Sequence, residues 1–191
     1  MVKAKKRWAK RVAAVALACA LGTGAVSVLV GCSSDSRSNS DEMSVAWTSN
    51  AGEYNLDPTN NYMGWQGSYL GIYEQLFRID ANFDPQPMLA ESAEMVNDTT
   101  WKITIREGVT FQNGNELNAQ AVADCLNRTI SMNERAKKSL DIASMEADGN
   151  VLTVTTNSLN TAFKNELSEP VASIIDVNSG AAEDEPVGTG P

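Results

Sequence analysis

The chain of 191 residues carries a net charge of −9 and contains no histidine. Without histidine these residues cannot supply Ser-His-Asp or Cys-His catalysis, and they lack the commonest zinc and nickel ligand. Six of the 15 basic residues lie within the first eleven positions, where there is no acidic residue; the remainder therefore has nine basic against 24 acidic residues, a net of −15. Such an acidic surface disfavours partners such as nucleic acid and anionic lipid.

Residues 1–31 have the layout of a secretory signal peptide. Lysines and arginines at positions 3–11 are followed by an uncharged stretch rich in alanine and valine. The ending Leu-Val-Gly-Cys resembles a bacterial lipobox, which implies cleavage before Cys32 and attachment of diacylglycerol to its sulfur. The alternative is a transmembrane helix, which needs about 20 apolar residues; the alanine, glycine, serine and threonine content argues against it. Residues 32–42 are then expected to form a flexible tether.

Cysteine usage agrees with an exported protein. Cys19 lies within the signal and Cys32 would carry the lipid, which leaves Cys125 as a free thiol. Cys125 precedes Leu126 on a predicted helix, so we expect it to be a small buried residue rather than a nucleophile. The spacing predicts neither a disulfide framework nor a metal site.

The segment before residue 100 is predicted to alternate loops with short elements. Residues 44–48 have the alternation of a strand, and the loop 50–61 contains a turn at Asp57-Pro58. Residues 65–77 place apolar side chains at helical spacing. These are Tyr69, Leu70, Tyr73, Leu76 and Phe77.

The clearest pattern covers residues 101–122. Trp101, Ile103 and Ile105 alternate with polar residues, which indicates a strand with one buried face. Asn113-Gly114 favours a turn, and Asn118 can cap a helix. The apolar positions of that helix are Ala119, Val122, Leu126 and Ile130. On pattern alone, any α/β protein could contain such a strand, turn and helix.

The last 50 residues predict a hairpin followed by shorter structure. Strands at 142–147 and 151–155 flank Asp148-Gly149-Asn150, a good hairpin turn. A short helix over 161–167 ends before Pro170. Residues 171–177 are either a buried strand or an apolar loop. The elements together predict a mixed α/β fold.

Several strings in this order resemble the family 5 extracellular solute-binding proteins, the peptide-, dipeptide- and nickel-type receptors of ABC importers. They are N-L-D-P at 55–58, I-Y-E-Q-L at 72–76, L-A-E-S at 89–92, W-x-I-x-I-R-x-G-V-x-F from Trp101, and G-T-G-P at the end. The turn after Phe111 is Asn-Gly where the family usually has Asp-Gly, which keeps the turn chemistry.

This resemblance implies a periplasmic-binding-protein-like fold with two lobes, of which the chain would be an N-terminal fragment without the second lobe. The domains expected are a signal peptide (1–31), a tether (32–42), the start of the first lobe (43–80), an inserted subdomain (81–180) and a return segment (181–191).

The implied function is that of a lipid-anchored receptor on the outer side of the cell membrane. It would bind an oligopeptide or dipeptide and deliver it to the permease and ATPase subunits of an ABC importer. One alternative is a receptor for a nickel chelate or another small solute. A structural or adhesive surface lipoprotein is the alternative from another class. No enzymatic activity, resident cofactor or nucleic-acid partner is expected.

The candidate ligand-binding residues lie in and after the loop that follows the first predicted strand. Aromatic and polar side chains are concentrated there, and the resemblance implies that this loop faces the cleft between the lobes. The candidates are Glu53, Tyr54, Asn55, Tyr62, Met63, Trp65 and Gln66. Alternatively, Tyr62 and Trp65 merely cover the helix that follows.

Overall fold

The computed structural model describes residues 55–180 and 185–191, without the side chains of residues 61–63. The predictions for the signal peptide, Cys32, the tether and the strand at 44–48 lie outside the described residues. Within the described ranges, no helix combines the length and apolar character that a membrane crossing requires.

A four-stranded antiparallel sheet and the helices beside it form most of the described structure. The elements are α1 (Asn61–Tyr69), β1 (Phe77–Ile79), β2 (Pro85–Pro87), β3 (Ala90–Asn97), β4 (Thr100–Ile105), α2 (Ala119–Met132), α3 (Glu134–Leu140), β5 (Ile142–Asp148), β6 (Val151–Thr156) and α4 (Phe163–Glu166). The strands of the large sheet lie in the order β3-β4-β6-β5, and β1 pairs with β2 in a separate hairpin. The mixed α/β class is therefore confirmed.

The alternation that predicts β4 reflects its place in the sheet. Trp101, Ile103 and Ile105 are buried, whereas Lys102 between them is exposed. β6 pairs with β4 and buries every second residue in the same way. Helix α2 packs against β5 and β6 and closes one core over this face.

The predicted turns and cap of this region are confirmed. The side chain of Asn118 accepts a hydrogen bond from the backbone N–H of Ala121 at 3.0 Å and begins α2. Gly114 and Gly149 adopt φ values of 86° and 55°, as their turns require. Cys125 is buried on α2, and burial raises the pKa of its thiol to about 11, so the prediction of an inert buried residue agrees with the structure.

The helix predicted over 65–77 is wrong in its extent. Helix α1 begins at Asn61 and ends at Tyr69, and Gly71 leaves the helical region with a φ of 74°. Tyr73, Leu76 and Phe77 are buried after the helix has ended. Their spacing came from packing of an extended segment against the core, which periodicity alone does not distinguish from a short helix.

The G-T-G-P segment lies against the chain that follows α1. The backbone N–H of Gly190 donates to the carbonyl oxygen of Ile72 at 3.1 Å, and the hydroxyl of Thr189 donates to the carboxylate of Glu74 at 2.8 Å. A Cβ atom on Gly190 would overlap the carbonyl group of Gly71. Glycine is therefore needed here for close approach of two backbones.

Candidate ligand-binding cleft

An open cleft of about 410 Å³ lies where four segments of the chain meet. Helix α1, the β1–β2 hairpin, helix α3, and α4 with the segment after it each contribute side chains. The lining residues are Trp65, Tyr69, Ile79, Phe83, Arg135, Asn165, Ser168, Glu169 and Pro170. The cleft therefore combines exposed aromatic surface with one cation, one carboxylate and two small polar groups.

Arg135 is the cation of this cleft. Its guanidinium carbon lies 5.3 Å from the centre of the Trp65 ring, within the range of a cation–π contact. One guanidinium nitrogen also donates to the carboxylate of Glu169 at 2.5 Å. Their side chains are 55% and 44% exposed, so the pair stays largely in water. An ion pair in such a setting stabilises a fold by at most about 1 kcal/mol.

The loop at 55–59, which leads into α1, is anchored to α2 through Asp57. Asp57 is 2% exposed and forms a two-pronged ion pair with Arg128 of α2, in which Nη1 lies 3.0 Å from Oδ1. The backbone N–H and the hydroxyl of Thr59 donate to the same carboxylate at 2.9 and 2.7 Å. Burial raises the pKa of Asp57, but the hydrogen bonds from Arg128 and Thr59 outweigh it and hold that pKa below its ordinary value.

Two further contacts hold this loop in place, one of them from the residue that caps α3. The side-chain amide of Asn133 donates to the carbonyl oxygen of Thr59 at 2.9 Å, and its oxygen accepts from the N–H of Ala136 at 3.0 Å. Asn133 thus caps α3, which carries Arg135, while holding the loop that precedes Trp65. The hydroxyl of Tyr73 donates to the carbonyl oxygen of Leu56 at 2.7 Å. The relative position of Trp65 and Arg135 therefore depends on this network.

Of the predicted site residues whose side chains the structure describes, only one lines the cleft. That residue is Trp65, and its indole N–H has no hydrogen-bond acceptor among the described residues. The side-chain oxygen of Asn55 accepts from the N–H of Asp57 at 2.8 Å, and Gln66 is buried; neither is part of the lining. Glu53 and Tyr54 lie outside the described residues, as do the side chains of Tyr62 and Met63.

Sequence reasoning did not predict any of the other lining residues as part of a site. Arg135, Glu169 and Phe83 stand in three segments that are distant along the chain, and nothing local marks them as neighbours. The one usable signal was Asn133, which can cap a helix that would carry Arg135. Within the described parts of the chain, no three cysteine, aspartate or glutamate side chains gather as a possible metal site.

A family model described as bacterial extracellular solute-binding proteins, family 5 Middle, matches residues 84–191. Among curated proteins, the chain is 34% identical over 123 residues to the nickel-binding protein NikA of Staphylococcus aureus and 33% identical over 133 residues to the glutathione-binding protein GsiB of Escherichia coli K12. These matches cover 64% and 63% of this chain but 25% of each relative. The chain thus spans about a quarter of the length of these relatives.

Solved structures show the same likeness in three dimensions. A nickel ABC transporter structure from Bacillus halodurans matches with a TM-score of 0.70 and 40% identity, over 74% of this chain and 30% of that one. NikA from Staphylococcus aureus, in complex with Ni(L-His)2, matches with a TM-score of 0.66 and 32% identity, over 73% and 30%. Helicobacter pylori DppA in complex with the peptide STSA shares the fold at 21% identity. The strings at 55–58, 72–76, 89–92 and 101–111 thus identified the family correctly, and the chain belongs to family 5 of the bacterial extracellular solute-binding proteins.

Proposed function

We propose that this chain forms one wall of the solute-binding cleft of an ABC-importer receptor, and that the solute is a small metal chelate of the nickel type whose organic ligand carries carboxylates. The observation that carries the proposal is the Arg135 guanidinium held over the Trp65 ring in an open cleft. The names of the relatives at 30% identity or more support the nickel-chelate alternative, or glutathione, better than the peptide function that the resemblance first suggested.

The Arg135–Glu169 pair suits recognition of a carboxylate on the solute. Because both side chains are about half exposed, opening the pair costs little. The guanidinium can then present two parallel N–H groups to a carboxylate of the solute, the geometry that arginine favours. The Trp65 ring remains beneath the cation and keeps it oriented.

The metal ion in this proposal is cargo and arrives already coordinated. The chain has no histidine, and its described residues contain no group of acidic or thiol side chains arranged to bind an ion. In this proposal, the described residues of the chain act on the organic ligand around the metal, through its carboxylates and its flat surfaces.

A second candidate solute is glutathione. The likeness to GsiB favours it, and glutathione also carries carboxylates that Arg135 could hold. A structural or adhesive lipoprotein is disfavoured, because that function would require neither the family match nor a cleft with an accessible arginine.

Replacing Arg135 with glutamine tests this role in the complete receptor. We expect the affinity for Ni(L-His)2, measured by titration calorimetry, to fall about tenfold or more, because a charge-assisted hydrogen bond is lost. The thermal midpoint should stay within error of the wild type, since the surface ion pair contributes little to folding. Lys138→Gln is the matched control: it removes an exposed cation from the same helix, outside the cleft. Equal affinities in both variants would contradict the role of Arg135.

We also propose that the receptor is held at the outer face of the cell membrane by lipid on Cys32. The support is the signal layout and the Leu-Val-Gly-Cys ending. Mass spectrometry of the mature N-terminus should show a diacylglyceryl group on Cys32, and Cys32→Ala should leave the protein unmodified and either uncleaved or released. An unmodified Cys32 in the membrane fraction would contradict the anchor.

In the same proposal, residues 43–80 begin the first lobe, 81–180 form a subdomain inserted into it, and 181–191 return to it. The contacts of Thr189 and Gly190 with residues 71–74 support this division. The permease and ATPase subunits of an importer would be the protein partners.

A further inference from the structure

Phe83 occupies an unusual position at the tip of the β1–β2 hairpin. Its φ is 66°, in the left-handed region that glycine, asparagine and aspartate populate more readily than a bulky residue does. Its side chain is nevertheless 81% exposed. Both the strained backbone and the exposed apolar ring are unfavourable. Because the ring is exposed, it adds little packing to the core that could offset them.

The hairpin tip that carries Phe83 is held by Asp80. The carboxylate of Asp80 accepts from the backbone N–H groups of Asn82 and Asp84 at 2.8 and 3.0 Å and from the side chain of Gln86 at 2.9 Å. The N–H of Phe83 donates to the carbonyl oxygen of Asp80 at 3.1 Å. These hydrogen bonds hold Phe83 in the left-handed conformation. The turn therefore fixes the position of the ring before any ligand binds.

Phe83 lines the same cleft as Trp65 and Arg135. Tyr69 and Ile79, which are also exposed, contribute apolar surface to that lining. Strained residues persist where function requires them, and an exposed ring on the wall of a ligand cleft has a direct use: packing against a flat or apolar part of the ligand. Arg135, by contrast, would respond to the carboxylates of the ligand.

We propose that Phe83 is a specificity-determining residue that packs, together with Tyr69 of the same lining, against an aromatic or apolar group of the bound chelate. The receptor then prefers a chelate that carries a ring over one of similar charge that carries none. This inference rests on the proposed function of the cleft.

The test uses the complete receptor with two nickel complexes, Ni(L-His)2, which carries imidazole rings, and Ni(Gly)2, which carries none. Phe83→Gly should weaken binding of Ni(L-His)2 about three- to tenfold, the size of a lost aromatic contact, and leave binding of Ni(Gly)2 unchanged. Its thermal midpoint should equal or exceed that of the wild type, since glycine adopts this φ without strain. Phe83→Trp, which keeps an aromatic face, should keep the preference for the ring.

Leu159→Gly is the matched control, because Leu159 is an exposed apolar residue outside the cleft and outside any helix or strand. If the wild type binds the complexes but Phe83→Gly changes neither affinity, or weakens both equally, the inference about Phe83 is wrong while the proposed function stands. If Phe83→Gly bound both complexes as the wild type does but cells carrying it imported nickel poorly, Phe83 would belong to a surface that contacts the permease. That result would overturn the inference. If the wild type binds neither complex, the proposed function fails and the inference fails with it.

Discussion

Replacing Arg128 with alanine is expected to destabilise the folded protein by about 3–5 kcal/mol. Arg128 is the cationic partner of Asp57, whose carboxylate is only 2% exposed. Removing the cation leaves that carboxylate buried and without its counter-charge, and an uncompensated buried charge strongly destabilises the folded state. Chemical denaturation should show the loss as a lower midpoint with an unchanged slope. The loop before α1 should loosen as well, so solute affinity should fall.

Two other variants separate this effect from a general loss of charge. Asp57→Asn should be milder, because the amide oxygen can still accept from Thr59 and the 19% exposed Arg128 side chain can reach water. Arg78→Ala removes an exposed arginine of β1 and should change stability by less than about 0.5 kcal/mol. A loss below about 1 kcal/mol in Arg128→Ala would contradict a structural role for the pair.

The same pair predicts a pH dependence. The pKa of Asp57 is lower in the folded protein than its ordinary value, so the folded state binds this proton less readily than the unfolded chain does. Its contribution to stability is therefore complete above about pH 4, near the unfolded pKa, and is lost as the pH falls through the folded pKa. The free energy of unfolding of the Asp57→Asn variant should therefore lack this decrease at low pH.

Replacing Trp101 with alanine is expected to cost about 3–5 kcal/mol as well, through a cavity in the core. The ring is buried on the inner face of β4, and its centroid lies 5.7 Å from that of Phe163. Trp101 does not line the cleft, so solute binding by the remaining folded protein should be unchanged.

The matched control for Trp101 is Met95, its partner across the β3–β4 ladder. Met95 is an exposed apolar residue, so Met95→Ala should cost less than about 1 kcal/mol. If Trp101→Ala left the denaturation midpoint unchanged while binding fell, Trp101 would be a site residue and the assignment of its ring to the core would be wrong.

The elements that local chemistry determines could be predicted from the sequence. The strand β4 follows from its alternation, the start of α2 from the Asn118 cap, and the β5–β6 hairpin from Gly149. Each of these three elements is determined by residues that are close together along the chain. Helix α3 was missed because its sequence, Glu-Arg-Ala-Lys-Lys-Ser-Leu, has too few apolar residues to show a helical period.

The cleft could not be predicted in the same way, because it is made of residues that are distant in sequence. Trp65 was a candidate because of its loop, but Arg135 and Glu169 meet it only after α3 and the segment beyond α4 have packed. The anchoring pair Asp57–Arg128 spans 71 residues and carries no local signal either. Pairings of this kind follow from the topology of the fold, which periodicity does not encode.

The most direct measurement is a calorimetric titration of the complete receptor with Ni(L-His)2, free Ni²⁺, glutathione and a short peptide. We predict that Ni(L-His)2 binds at micromolar or better affinity and that free Ni²⁺ binds at least tenfold more weakly, because the proposed site acts on the organic ligand and not on the bare ion. Tighter binding of free Ni²⁺, or micromolar binding of the peptide with no binding of Ni(L-His)2, would contradict the assignment of this cleft to a metal chelate.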